Sequence, residues 1–220
     1  MPMNVRRSAT VLASLLLSSS FAWAHKVRFV AFDLPVAAGK CQLIPATDSK
    51  KASIVELGIS RFSAVVDLSP GSYKLVLPDG RTSGTLSLEG EAARKAIAIV
   101  LPGPEGTVSV LTTPDESASF AAGDRIFINA TRAEIRVQIG DRNVVCKPAS
   151  VQLVKPPGKI VDGRYPVRMG IQKDDKWVTF NSTWWPDDPT CRSLVLLYPN
   201  ANTGVPGVKT IEEVPQKEQQ

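Results

Sequence analysis

The sequence predicts an all-β fold, repeated in two similar units behind a cleavable leader. Three observations predict it. Apolar residues after Ala24 recur in short runs that alternate with period two, and no stretch sustains the 3.6-residue period of a helix. Turn formers such as Ser69-Pro70-Gly71, Pro78-Asp79-Gly80 and Pro102-Gly103-Pro104 punctuate these runs, at the spacing of about 8–12 residues that marks a sandwich or barrel. The third observation is an internal repeat.

The chain opens with the strongest local signal. Arg6 and Arg7 precede an apolar run over 9–17, followed by polar Ser18 to Ser20 and then Ala22-Trp23-Ala24. A short positive segment, an apolar core and a small-x-small site make an export leader, with cleavage expected after Ala24. The apolar run is too short to cross about 30 Å of hydrocarbon, so no transmembrane segment is expected. Ser8-Ala9-Thr10 does not follow the arginine pair as twin-arginine export requires, and no cysteine stands at the cut to carry a lipid. The expected location is the periplasm or the exterior of a bacterial cell.

Strands are expected in the first unit, 25–113, over 27–32, 41–44, 53–57, 62–67, 73–77, 85–88, 96–101 and 107–112. In the second unit, 124–211, they are expected over 125–130, 134–139, 143–146, 150–154, 165–172, 177–183 and 194–198. Asp174-Asp175 reads as a hairpin turn. Leu194 to Leu197 has no polar alternation, which marks a central strand buried on both faces. The segment 114–123, with Pro114, Ser117, Ser119 and Gly123, has linker composition, and 212–220 reads as a polar flexible tail.

The two units align. Arg28-Phe29-Val30 stands 97 residues before Arg125-Ile126-Phe127, and Pro102 closes its strand 97 residues before Pro199. Each unit has the size of an immunoglobulin-like β-sandwich. The fold class is therefore all-β, with two tandem immunoglobulin-like sandwiches.

Charge narrows the function. The chain carries 26 Lys+Arg and 21 Asp+Glu, and losing Arg6 and Arg7 with the leader leaves a net charge of +3. With both signs interspersed and no Lys/Arg block longer than two, the pattern argues against nucleic-acid binding. No metal-ligand spacing, phosphate loop or cofactor motif occurs, so no cofactor is expected.

Catalysis through Ser–His or Cys–His pairs needs a base beside the nucleophile, and His25 is the only histidine. As the first residue of the mature chain, on a mobile terminus, it could bind copper through its α-amine and imidazole. No second imidazole exists to complete such a site. A dispersed carboxylate pair for hydrolysis, with Asp187 and Asp188 the nearest approach to one, is the other catalytic alternative. Adjacent acids in a proline-bounded loop more often form turns.

Of Cys41, Cys146 and Cys191, the last two share the second unit, so a Cys146–Cys191 disulfide is expected in an oxidising compartment. It would contribute about 4 kcal/mol by loop closure. The run Trp184-Trp185-Pro186-Asp187-Asp188 is the most unusual in the chain. Neighbours on a strand face opposite ways, so one tryptophan should be exposed or lie against another unit. A core role, a protein contact and a glycan platform all remain open for Trp184, Trp185, Asp187 and Asp188.

The strand Phe127-Ile128-Asn129-Ala130-Thr131, together with Arg192-x-Leu194, resembles a strand pair in secreted proteins of verrucomicrobial and planctomycete bacteria. Leu68-Ser69-Pro70-Gly71-Ser72-Tyr73-Lys74-Leu75 is similar to the hairpin of PEGA-type surface modules. The resemblance implies a β-domain and an exported location, and implies no activity. The expected function is a non-catalytic envelope module that binds an unidentified protein or glycan.

Overall fold

The structure, a computed structural model, describes residues 24–215 apart from 33, 35–38, 91–92, 104–105, 117, 174–175 and 201. The expected leader therefore lies outside the described residues, save Ala24. The chain is all-β, as expected. Its first half forms β1 (His25–Ala31), β2 (Gly39–Pro45), β3 (Ser53–Leu57), β4 (Val66–Leu68), β5 (Gly71–Val76), β6 (Thr82–Leu88), β7 (Lys95–Pro102) and β8 (Val108–Pro114). The second half forms β9 (Arg125–Asn129), β10 (Ile135–Ile139), β11 (Arg142–Cys146), β12 (Ser150–Val154), β13 (Arg164–Lys173), β14 (Lys176–Pro186), β15 (Arg192–Tyr198) and β16 (Gly207–Glu213).

Strand order repeats between the halves. The first half is one curled sheet, β3-β2-β5-β6-β8-β7-β1-β4, turning at a single parallel pairing of Ser83 with Val108. The second half has the same order split into two sheets, β11-β10-β13-β14 and β12-β9-β15-β16. Adding eight to each strand number of the first half gives the second. In each half the opening strand runs parallel to the seventh: Phe29 lies opposite Ala98, and Phe127 opposite Val195.

These pairings correct one of the two offsets. Phe29 and Phe127 both point into the core of their own half, so the opening strands match at 98 residues. Ala98 and Val195 match at 97. Side chains alternate with period two, so an odd shift puts every residue of a strand on the wrong face. The Arg28–Arg125 match was therefore out by one, although the far-end offset stands.

Four layers of strands enclose three apolar layers. One core, with Phe29, Leu43, Leu75 and Val100, fills the curl of the first half. A second, with Phe127, Val137, Tyr165 and Leu197, lies between the two sheets of the second half. Between them, Val30, Phe32, Ile97 and Ile99 of the first half meet Ile126, Ile128, Leu194 and Leu196 of the second. The inner stretches of β1, β7, β9 and β15 are consequently covered on both faces, which is why Ala96–Leu101, Ile126–Ile128 and Leu194–Leu197 read as unbroken apolar runs.

The segment expected as a linker is part of this middle layer. Phe120 is 1% exposed within it. Asp115 and Glu213 bind Arg28 and Arg192: Arg28 Nε donates to Asp115 Oδ2 at 2.7 Å, and Arg192 Nη2 to Glu213 Oε2 at 2.8 Å. Arg28 also donates through Nη1 to Glu213. The guanidinium carbons of Arg28 and Arg192 sit 4.4 Å and 4.6 Å from the ring centres of Phe62 and Phe120. Strand β16 reaches Glu213, so the polar segment expected to fray from Glu212 begins inside a paired strand, with Glu212 opposite Ser193.

The expected Cys146–Cys191 disulfide is not formed. All three cysteines are free, and the two sit at opposite ends of β9. The Cys191 carbonyl accepts from Gly123 N at 2.7 Å, whereas the Cys146 carbonyl accepts from Asn129 Nδ2 at 2.8 Å. The six residues from 123 to 129 span about 20 Å when extended, and a disulfide needs Cα atoms within about 7 Å. Asn129 itself is fully buried and also accepts from Thr131 N and Oγ1. The asparagine and threonine of the Phe127–Thr131 motif thus tie β9 to β11.

Candidate functional site

Strands β13 and β14 form a long hairpin at one edge of the outermost sheet, and β14 carries three of the chain's four tryptophans. The turn at 174–175 lies outside the described residues, and Lys173 pairs with Lys176 on either side of it. Trp185 lies opposite Tyr165, so it points inward. It packs against the second-half core with its ring parallel to Phe127, interplanar angle 2° and centroids 6.1 Å apart. The Arg125 guanidinium sits 5.0 Å from the Tyr165 ring centre and 5.9 Å from that of Trp185. Trp184 lies opposite Pro166 on the other face and is 54% exposed. The opposite-face expectation holds, and the structure identifies Trp184 as the outer ring.

The remaining candidates do not join it. Asp188 Oδ1 accepts from Thr190 N at 2.8 Å and Thr190 Oγ1 at 2.6 Å, and these bonds hold its carboxyl below the usual carboxylate range. Asp187 N donates to the Gly163 carbonyl at 2.8 Å. Both acids shape the turn that leaves β14. Trp185, Asp188 and Cys191 line a cavity of about 190 Å³ with Arg125 and Glu212. The expected cluster of four is thus divided between a small cleft and an outward face.

His25 is not on a mobile terminus. It opens β1 opposite Leu68 and is 4% exposed, its Nδ1 without a hydrogen-bond partner. Among the described residues no three His, Cys, Asp or Glu side chains are grouped to hold a metal. Burial raises the Cys41 thiol to about 11, with Asp79 adding to the effect, and burial alone raises that of Cys146 to about 12.

The outward face holds residues that sequence reasoning missed. The register of β13 and β14 shifts at Met169/Gly170, where Phe180 is the extra residue. Trp177 lies opposite Gln172, so without the shift it would face away from Trp184. With it, both share the outer face. A Cβ on Gly170 would meet the Val178 carbonyl at 3.2 Å, so glycine admits this close approach of β14. Arg136, on β10 opposite Gly170, places its guanidinium 4.2 Å from the Trp177 ring centre. Arg168 and Arg164 follow along β13 on the same face. The acid-free strands could have been read from sequence, whereas the bulge that unites the tryptophans has no such signature.

No family model matches the chain, and no curated protein matches it.

Proposed function

We propose that this chain is an exported, non-catalytic binding module of a bacterial envelope, built of two immunoglobulin-like sandwiches, that engages its partner on the outer face of the β13–β14 hairpin. The leader-like pattern of residues 1–24 supports export. The observation that carries the reading is Trp184, a large ring left 54% exposed while its neighbour Trp185 packs, half-buried, against the core. Exposed aromatic side chains on a rigid strand are common anchors of recognition, because they offer large contact area at low entropic cost.

The test compares mature wild type with Trp184→Ala in crosslinking capture from the native envelope. The Ala variant should keep its melting temperature, its stability within about 0.5 kcal/mol of wild type, and lose the captured partner. Equal capture by both proteins would refute the reading. Export is checked separately: N-terminal sequencing of secreted protein should begin at His25.

A further inference from the structure

The outer face of the β10–β11–β13–β14 sheet points to an anionic polysaccharide, and we propose that it holds an extended segment of one, rich in uronate or sulfate. This rests on the reading of the hairpin as the binding surface and names its ligand class.

Three features of the face carry it. The first is charge. None of the four strands contains an acidic residue. Arg136, Arg164 and Arg168 all project from the outer side, and none of the three forms an ion pair among the described residues. The two acids at 174–175 lie outside the described residues. Strands without acids, bearing three guanidinium groups that form no ion pair among the described residues, are complementary to carboxylate or sulfate, which Arg binds bidentately; Glu134, just before β10, is the one described acid bordering Arg136 in sequence.

The second is the placing of the rings. Trp177 sits opposite Gln172 and Trp184 opposite Pro166. Six residues along β13 separate the two positions, about 20 Å at strand rise. Such a track suits a linear polymer better than a small molecule. The apolar C–H face of a pyranose can lie flat on the exposed Trp184 indole, Trp177 with the Arg136 guanidinium over its ring offers an aromatic and cationic contact at the other end, and the span between is polar. Gln138 and Ser182 flank Arg168 across the sheet, so amide, hydroxyl and guanidinium groups meet the stretch of ligand between the rings. Single-stranded nucleic acid is held by successive bases on closely spaced aromatics, and this spacing does not provide them.

The third is an internal contrast. The equivalent sheet of the first half presents Lys40, Gln42, Ile54, Glu56, Ser72 and Lys74 outward, with no aromatic ring and with an acid among them. The same strand order thus exists without the tryptophans and without the uniform charge. The face is particular to the second half and is not a by-product of the architecture.

The test uses the whole mature chain, polygalacturonate and chondroitin sulfate as acidic probes, dextran and xylan as neutral ones, and a single-stranded oligonucleotide as competitor. Affinity electrophoresis and calorimetry should show binding to an acidic glycan that weakens as salt rises. Trp184→Ala should weaken it at least about tenfold, as should Arg136→Gln/Arg168→Gln, and the arginine variant should also flatten the salt dependence. Lys74→Gln, on the first-half sheet, should leave binding unchanged. All variants are checked for an unaltered melting temperature.

Equal binding to dextran or xylan, lost with Trp184→Ala, would overturn the acidic ligand while leaving the binding face in place. Preference for the oligonucleotide would do the same. Acidic-glycan binding that survives both variants would overturn the proposal at this surface. No glycan binding at all would also overturn it, and the crosslinking comparison above then decides alone whether the hairpin binds anything.

Discussion

At the scale of single residues, neighbours in sequence have parted company. Trp184 and Trp185 differ by one position and face solvent and core. Alternation alone predicts that split, but not its direction, which depends on Tyr165 and Phe127 lying beneath one of the two rings. The cysteines show where spacing misleads. Two residues in one unit need not share an end of it, and β9 holds Cys146 and Cys191 apart. We expect three thiols on denaturing unreduced protein with a thiol reagent, and a Cys146–Cys191 peptide in non-reducing mapping would contradict this. In the native state Cys191, half-exposed, should alkylate first. Cys41 and Cys146 are buried and their thiols raised, so they should react only on unfolding.

At the scale of elements, most strands were legible because β-branched runs and Pro/Gly punctuation survive in the sequence. Strand β16 was not, since Gly207-Val208-Lys209-Thr210-Ile211-Glu212-Glu213 is an edge strand with little apolar alternation, ordered by pairing with β15. The bulge at Phe180 was also hidden, because one extra residue changes facing without changing composition. Ion pairing between elements was equally invisible. Arg28 on β1, Asp115 after β8, Arg192 on β15 and Glu213 on β16 meet only in the folded chain. Burial there disfavours ionised Glu213, but hydrogen bonds and charge from Arg28 and Arg192 outweigh it and hold its carboxyl below the ordinary value. A carboxyl lowered on folding contributes stability above its unfolded value, about 4.3, and loses it as pH falls through the folded one. Glu213→Gln should therefore cost about 2–4 kcal/mol at pH 7. In chemical denaturation the gap from wild type should shrink as pH drops below about 4.3. A gap constant from pH 7 to pH 3 would show that the carboxylate charge contributes nothing.

At the scale of the whole molecule, the repeat has two copies of one strand order, each with a core of its own, joined by a shared middle layer. Each half on its own would expose one side of the middle layer. For the first half that means Val30, Phe32, Ile97, Ile99 and Leu101, all nearly inaccessible in the intact chain. At about 2 kcal/mol per buried side chain, their burial is worth about 10 kcal/mol, comparable to the entire stability of a typical domain. The segment 115–124 adds to the junction, through Phe120 in the middle layer and Asp115 between two arginines. Heating the chain from His25 onward should accordingly give one calorimetric transition with matching calorimetric and van't Hoff enthalpies. Residues 25–113 expressed alone should aggregate or bind hydrophobic dye. Two resolved transitions, or a soluble and cooperatively folding 25–113 fragment, would mean that the middle layer joins two self-sufficient sandwiches. Limited proteolysis separates the cases without truncation: a shared core leaves the backbone between 115 and 123 intact until global unfolding, whereas independent sandwiches would be cut there first.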